Sequence, residues 1–415
     1  MMSKIRIPFL LILLIGIGAC NEKQDDGAYA DYLVAKPMTM LVADFKNNVE
    51  ILPPVPIKES GKLYAYQNFI FINDVYKGVH VIDNSNPLAP QKIAFIKIAG
   101  NVDIAVKDNF LFADSITDLL VFDISDITNI QQVNRLENVL RDNVVFPSEA
   151  DFFEFGPIDY ANEIIVGWEV VTERRLVEEY QNRWGTVDFA MAEAMSDGSV
   201  GEGGSMARFK IVSDYLYAVD SHNINVFAIE NLENPLALEP VFAGFDIETI
   251  FNKGNNLFLG SKSGMYIYDI SSPATPSFIS EFQHGTACDP VVVDDQYAYV
   301  TLRGGNACGA TESGLFIIDI SDISNPVLAK SYGMDGPYGL GVRGNMLFVC
   351  DGESGLKVYD KSQIDDLQLL DHFKDIVTFD VIPLEDQLLM VGEDVLHQYR
   401  YQEGGIEFLS SLNLD

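Results

Sequence analysis

The sequence predicts an all-β fold: a seven-bladed β-propeller of four-stranded antiparallel blades, with one long inserted arm. Three observations carry that expectation. First, a short apolar strand running into an Asp/Ser/Asn/Pro turn is written repeatedly, as Gly314–Pro326 (GLFIIDISDISNP), Gly78–Pro87, Asp118–Asn129, Ile224–Pro235, Gly264–Pro273 and Gly355–Ser362. Second, its anchor position (Asp83, Asp123, Ala228, Asp269, Asp319, Asp360 and, in a degenerate last copy, Arg400) recurs about every 40 residues, apart from one large and one small insertion. A period of that size with strand-like units marks a propeller or a solenoid. Third, each unit holds four short β-rich runs between polar turns, with no helical period.

The second unit shows the pattern, with strands expected at Val102–Val106, Phe110–Ala113, Leu119–Ile124 and Gln131–Leu136. Four antiparallel strands per repeat make a propeller blade, in which radial repetition protects the sheet edges. The blades are expected at 61–98, 99–137, 205–243, 244–283, 284–332, 333–373 and 374–415. An eighth blade within 138–204 would lack the Asp-turn motif. The recurrent Asp reads as an Asx turn, its carboxylate bonding nearby backbone N–H groups. Its spacing lacks the Gly and terminal Glu of a calcium loop.

The N-terminus sets the expected compartment. Lys4 and Arg6 precede the apolar run Phe9–Ile15 and then Ile17-Gly18-Ala19-Cys20. A basic start, a short apolar core and a small-residue cleavage site make a secretory signal, too short to span a bilayer. The Ile-Gly-Ala-Cys ending resembles a bacterial lipobox, which implies cleavage before Cys20 and lipidation (palmitate included) at that residue. The expected organisation is a signal peptide over 1–19, a lipidated tether and lead-in over 20–60 that contains Pro53, Pro54 and Pro56, and a propeller over 61–415 interrupted by the arm 138–204. A formal net charge of −34 repels phosphate backbones, so nucleic-acid binding is not expected.

At the level of motif the resemblance is specific. GLFIIDISDISNP and GMYIYDISSP look like the units of the LVIVD-repeat family of bacterial surface propellers. KGVHVIDNSNP, GNVDIAVKDNFLFADS, GGSMARF and CDPVVVDDQYAYVTLRGGNAC resemble lipoproteins of Bacteroidota, as does the acidic cluster after Cys20. The resemblance implies a propeller and an outer-membrane, surface-exposed, lipid-anchored address. It brings no catalytic residues.

In a propeller the first strand of each blade lines the axis. The loop leading into that strand and the loop between the second and third strands share one face. Both insertions, 138–204 and Arg303–Ser313, fall on that face, and loops carry function on a rigid scaffold. Aligning the innermost strands places Lys62, Asp103, Arg208, Thr249, Asp289, Tyr338 and Asp380 at equivalent positions, with Glu248 adjacent and Arg303 beside the short insertion. These residues, Thr249 aside, form the candidate binding face. Channel charges that merely pair across blades are the plainer alternative. Cys288 and Cys308 are placed to bridge the fifth blade's inner strand to its inserted loop, the alternative being two free thiols; Cys350 reads as a small buried hydrophobe. No HExxH, zinc-type spacing, nucleophile elbow or GxGxxG stands in the required setting, so no catalytic set, metal or cofactor is assigned. The arm holds Trp168 and Trp184, the only tryptophans, and reads either as a partner-contacting arm or as a lid on its own propeller. Its FFEFGPIDY and EIIVGWEVV runs suggest a hairpin and its Gly/Ser-rich end a flexible tail. The function expected is non-catalytic binding of an envelope protein or glycan. The alternative is an extracellular hydrolase or lyase using carboxylates at the channel mouth.

Overall fold

Each strand-and-turn unit of the sequence folds as one antiparallel meander. The structure, a computed structural model, describes residues 29–140, 146–147, 150–177, 200–283, 290–304 and 313–415. Strand accounts for 57% of the described residues, and the helix Val42–Phe45 is a single turn, so the described fold is all-β. The second sheet is typical, with Ile104–Lys107, Phe110–Ser115, Asp118–Asp123 and Gln131–Leu136 paired in chain order. The fourth, fifth, sixth and last sheets repeat this order, beginning at Phe251, Val291, Leu340 and Thr378. The third sheet begins at Phe209, and its outer strand is broken into Leu236–Ala237 and Val241–Phe242.

Three features of the repeat explain its sequence. The anchoring Asp forms the expected Asx turn: the N–H of Ser85, Ser125, Ser271, Ser321 and Ser362 donates to Asp83, Asp123, Asp269, Asp319 and Asp360 at 2.8–3.0 Å. The glycine heading the third strand is required by close approach. A Cβ on Gly78, Gly264 or Gly355 would lie 2.0–2.1 Å from the carbonyl oxygen of Ile96, Phe282 or Phe373 on the fourth strand. The third and fourth strands also share a register shift, for example at Val81/Ile82, Ile267/Tyr268, Ile317/Ile318 and Val358/Tyr359. A bulge there twists the outer strand and blunts its open edge.

Apolar clusters lie between neighbouring sheets, and the first strands abut one another. Ile104–Lys107 packs against Phe209–Val212, and Thr378–Pro383 packs against both Leu340–Arg343 and Ser60–Tyr66. The first and last sheets share a core of Leu63, Ile72, Ile382 and Leu396. Asn84 and Gln398, both buried, exchange side-chain amide hydrogen bonds of 3.0 and 2.8 Å across the same seam, and Ile57 N–H donates to Leu414 O at 2.8 Å.

The lead-in and the arm differ from the sequence expectation. Tyr29–Leu41 is a long strand that pairs antiparallel with Glu163–Leu176 and parallel with Phe152–Phe153. The two arm runs therefore do not form a hairpin with each other, because the lead-in strand lies between them. Glu50–Leu52 then adds to the outer edge of the first sheet. The Gly-rich end of the arm is also ordered. Glu202–Gly203 pairs with Tyr64 and Ala65 at the inner edge of the first sheet, Val200 bridges Lys107, and Gly201 and Gly204 donate to Val106 O and Leu63 O at 2.9 Å. A Cβ on Gly201 would lie 2.2 Å from the Tyr64 ring, so glycine serves close packing there rather than flexibility.

Replacing Gly264 with Ala is expected to cost about 1–3 kcal/mol, because the new methyl must displace the Phe282 backbone. Gly333→Ala, where nothing lies within 4 Å, is expected to stay within about 0.5 kcal/mol of the parent. Urea unfolding of the two variants measures the difference.

Candidate functional site: a buried charge cluster at the heads of the inner strands

The inner strands bring charged side chains to equivalent positions and then bury them. Lys62, Asp103, Arg208, Glu248 and Asp380 are each at most 3% exposed, as is Thr249. Taking such groups out of water is costly unless hydrogen bonds replace the lost hydration. Two of the carboxylates receive that replacement from backbone. Asp103 accepts from Ile104 N at 2.7 Å and Phe209 N at 3.0 Å, and also from Arg208 N, tying the second sheet to the third. Asp380 Oδ1 accepts from Ser205 N at 2.8 Å, Ser205 Oγ at 2.7 Å and Val381 N at 2.9 Å, while Leu340 N donates to Ser205 Oγ at 2.6 Å. A Cβ on Gly204 or Gly339 would fall 1.9 or 2.3 Å from this carboxylate. The end of the arm is thus latched to the last two sheets through one buried acid.

The protonation equilibria follow from this burial. Burial pushes Asp380 up to about 6, against the pull of Ser205, Val381 and Lys62. It also raises Asp103, which Lys62 and three backbone donors oppose. Burial lowers Lys62 to about 8 although Asp103 and Asp380 favour its charged form. Arg208 is lowered for the same reason, with Asp114, Asp220 and Asp103 opposing. Glu248 adds its charge to the field at both cations.

Of the candidate binding residues, Lys62, Asp103, Arg208, Glu248 and Asp380 come together in this cluster, but it is buried rather than an open ring at a channel mouth. The reason is that the segment 200–205 packs over the inner edges. Arg303 and Tyr338 stand apart: the guanidinium stacks 4.0 Å from the Tyr338 ring centroid, and Tyr338 meets Phe379 edge-on at 5.2 Å. Asp289, Cys288, Cys308, Trp184 and Cys20 lie outside the described residues. Cys350 is a buried free thiol. Trp168 is 4% exposed and enclosed by Phe146, Phe153 and Phe155. Beneath it the arm packs on Val75, Tyr76 and Val102 of the first two sheets. The part of the arm around Trp168 therefore lies as a lid on the first two sheets, while its end at 200–204 joins the inner edge.

Sequence reasoning missed two features. One is a second row of acids at the ends of second strands. Asp74 accepts from Lys58 N and Glu59 N, Asp114 from Val102 N and Asp103 N, and Asp351 from Asp335 N and Gly336 N. Each clamps the segment leading into its own inner strand. The signal was present as an Asp after a β-rich run in FIFIND, FLFAD and LFVCD. The other is an exposed aromatic step on the loop face. Phe242 and Phe245 are 59% and 63% exposed, and Phe245 lies edge-on to Phe242 and His222, both at 5.6 Å.

The LVIVD repeat model matches residues 59–93, 99–136, 248–283 and 284–333. Four stretches of the chain are therefore LVIVD repeats. The matched LVIVD units contain Lys62, Asp103, Glu248, Asp289 and Arg303, whereas Arg208, Tyr338 and Asp380 fall outside them. Among solved structures, a computationally designed protein, Ika8, is similar over 88% of this chain and 90% of its own, at 11% identity and a TM-score of 0.50. The periplasmic gluconolactonase PpgL of Pseudomonas aeruginosa is similar over 86% and 96%, at 9% identity and a TM-score of 0.51. Hsv2p of Kluyveromyces lactis matches over 86% and 99% at 10% identity, with a TM-score of 0.49. These structural neighbours are propeller-like, and at such identities the likeness concerns fold alone. No curated protein matches the sequence.

The pH dependence of stability tests the Asp380 latch. The folded protein holds this proton more tightly than the unfolded chain, so the group's contribution is fully present below the unfolded value of 3.8 and is lost as pH rises through about 6. An Asp380→Asn variant does not titrate. Its melting temperature relative to the parent is expected to rise between about pH 4 and pH 6, an effect on the order of 2 kcal/mol. Scanning calorimetry of both proteins across that range checks it.

Proposed function

We propose that this LVIVD-repeat protein is a lipid-anchored, surface-exposed outer-membrane protein. In this reading its sheets close as a seven-bladed propeller and its loop face binds an envelope protein or glycan without chemical turnover. The seam between the first and last sheets, with its shared core and the Asn84–Gln398 amide pair, supports closure. The lipobox-like Ile17–Cys20 supports the anchor. Eight residues lie between Cys20 and the strand beginning at Tyr29, so at roughly 3.5 Å per residue the lid would sit within about 30 Å of the lipid.

The observation that carries the binding reading is the exposed Phe242–Phe245 step beside His222, on the face that also bears the lid and the Arg303–Tyr338 stack. Exposed aromatics on a rigid frame make contact area at low entropic cost. The carboxylates that a hydrolase would need are instead engaged in holding backbone, as Asp103 and Asp380 show. One observation favours the enzymatic alternative: a carboxyl pushed to about 6 suits a general acid.

Cross-linking and affinity purification from the native outer membrane tests the proposal. The parent is expected to recover a stoichiometric protein or glycan, and a Phe242→Ala/Phe245→Ala double variant about tenfold less, while Cys20→Ala leaves the membrane fraction. Recovery of no partner, together with turnover in a glycan screen that Asp380→Asn abolishes, would establish the alternative instead.

A further inference from the structure

Four groups at the heads of the inner strands are buried with no hydrogen-bond partner among the described residues: Lys62 Nζ, Arg208 Nε and Nη1, Thr249 Oγ1 and Asp380 Oδ2. They come from the first, third, fourth and last sheets, and their residues are at most 3% exposed. One such orphan costs about 1–3 kcal/mol, and more when it is charged. Four at one place describe a site whose occupant supplies the missing partners. The unmet demand is lopsided. The ammonium, the guanidinium edge and the hydroxyl can all donate, against a single carboxylate oxygen able only to accept.

From this imbalance we propose that the inner-strand cluster is a binding site for a small oxyanion of carboxylate or phosphate type, held between Lys62 and Arg208 with Thr249 donating to it. Apart from Glu248, whose charge acts on both Lys62 and Arg208, the nearby acids are engaged elsewhere. Asp103 is engaged by the backbone of Ile104, Arg208 and Phe209, Asp114 by Asn101, Val102 and Asp103, and Asp220 by His222, Asn223 and Asn225. Their carboxylates are met by peptide and side-chain donors, while Lys62 Nζ and Arg208 Nε and Nη1 meet no hydrogen-bond acceptor among the described residues. A bare metal ion would meet the opposite shortage, since Asp380 Oδ2 is the orphan carboxylate oxygen of these four groups. Several buried donors without acceptors suit an ion with more than one acceptor atom, as the planar fork of arginine does in oxyanion recognition. Asp380 Oδ2 then accepts from a protonated oxygen of the same ligand. Beside it lies a small cavity of about 20 Å³, lined by Ser205, Leu340 and Val381, the residues that donate to Asp380 or to its serine partner, so an oxyanion needs the covering segment to move. The segment Gly201–Ser205 closes the site from the side of the first sheet, and its displacement is the route in.

Thermal shift and titration calorimetry on the purified protein test this, with sodium phosphate, sulfate and acetate compared with sodium chloride at equal ionic strength. The parent is expected to show a saturable rise in melting temperature with at least one oxyanion and not with chloride. That binding should weaken above pH about 8, where Lys62 loses its proton. Lys62→Met removes an unpaired buried charge, so it should melt at or above the parent without anion while binding about tenfold more weakly. If Lys62→Met does not fold, Thr249→Val gives the same readout, with a smaller loss expected. An equal response of parent and variant, or no difference between oxyanions and chloride up to about 50 mM, would mean that the groups are met by water, and would overturn the proposal.

Discussion

The structure depends on buried carboxylates that accept backbone N–H bonds at the heads of the inner strands. Asp103 ties the second sheet to the third, and Asp380 ties the last two sheets to the end of the arm. Asp74, Asp114 and Asp351 fasten the segments that lead into their own sheets. Hydrogen bonds to a charged group contribute about 1.5–3 kcal/mol each. Without them the inner ends of the strands would carry orphan N–H groups and unneutralised charge in a dry interior. The apolar clusters between sheets provide the bulk of the driving force, but they are non-directional. The carboxylate clamps fix where each sheet begins.

Around that frame, the departures from the repeat are assembled from distant parts of the chain. The lead-in strand Tyr29–Leu41 is sandwiched by two pieces of the arm, and this small sheet packs on the first two sheets through Trp168, Val75 and Val102. The arm's end returns along the inner edges, where Gly201 and Gly204 pass too close to Tyr64 and Asp380 for any side chain. An acidic chain thereby places two cations, Lys62 and Arg208, in its interior.

The fold was largely legible in the sequence because a repeat averages out local ambiguity. The Asp-Ser turn, the strand before it and the spacing are local properties, and each reappears with the bonding that its residues imply. Even the glycine of GLFIIDIS has a local meaning, as the residue over which the fourth-strand carbonyl passes. The candidate site was legible only in part. Counting along the inner strands brought Lys62, Asp103, Arg208, Glu248 and Asp380 together, since the first strands of neighbouring sheets abut one another. Their burial was not visible, because it depends on residues 200–205, whose composition reads as a linker. Arg303 and Tyr338 were grouped with the others by position, yet their stacking carries them away from the cluster. The lead-in strand was missed because Pro37 and the nearby polar residues mask a segment that pairs only with partners more than a hundred residues away.

The central claim is that the glycine-rich end of the arm is an integral inner strand held by Asp380 rather than a linker. Amide hydrogen exchange at Gly201, Gly204 and Ser205 tests it most directly. Protection comparable to that of Ile104–Lys107 in the adjoining inner strand is the result this account predicts. Exchange as fast as that of the exposed turn at Gly404 would contradict it.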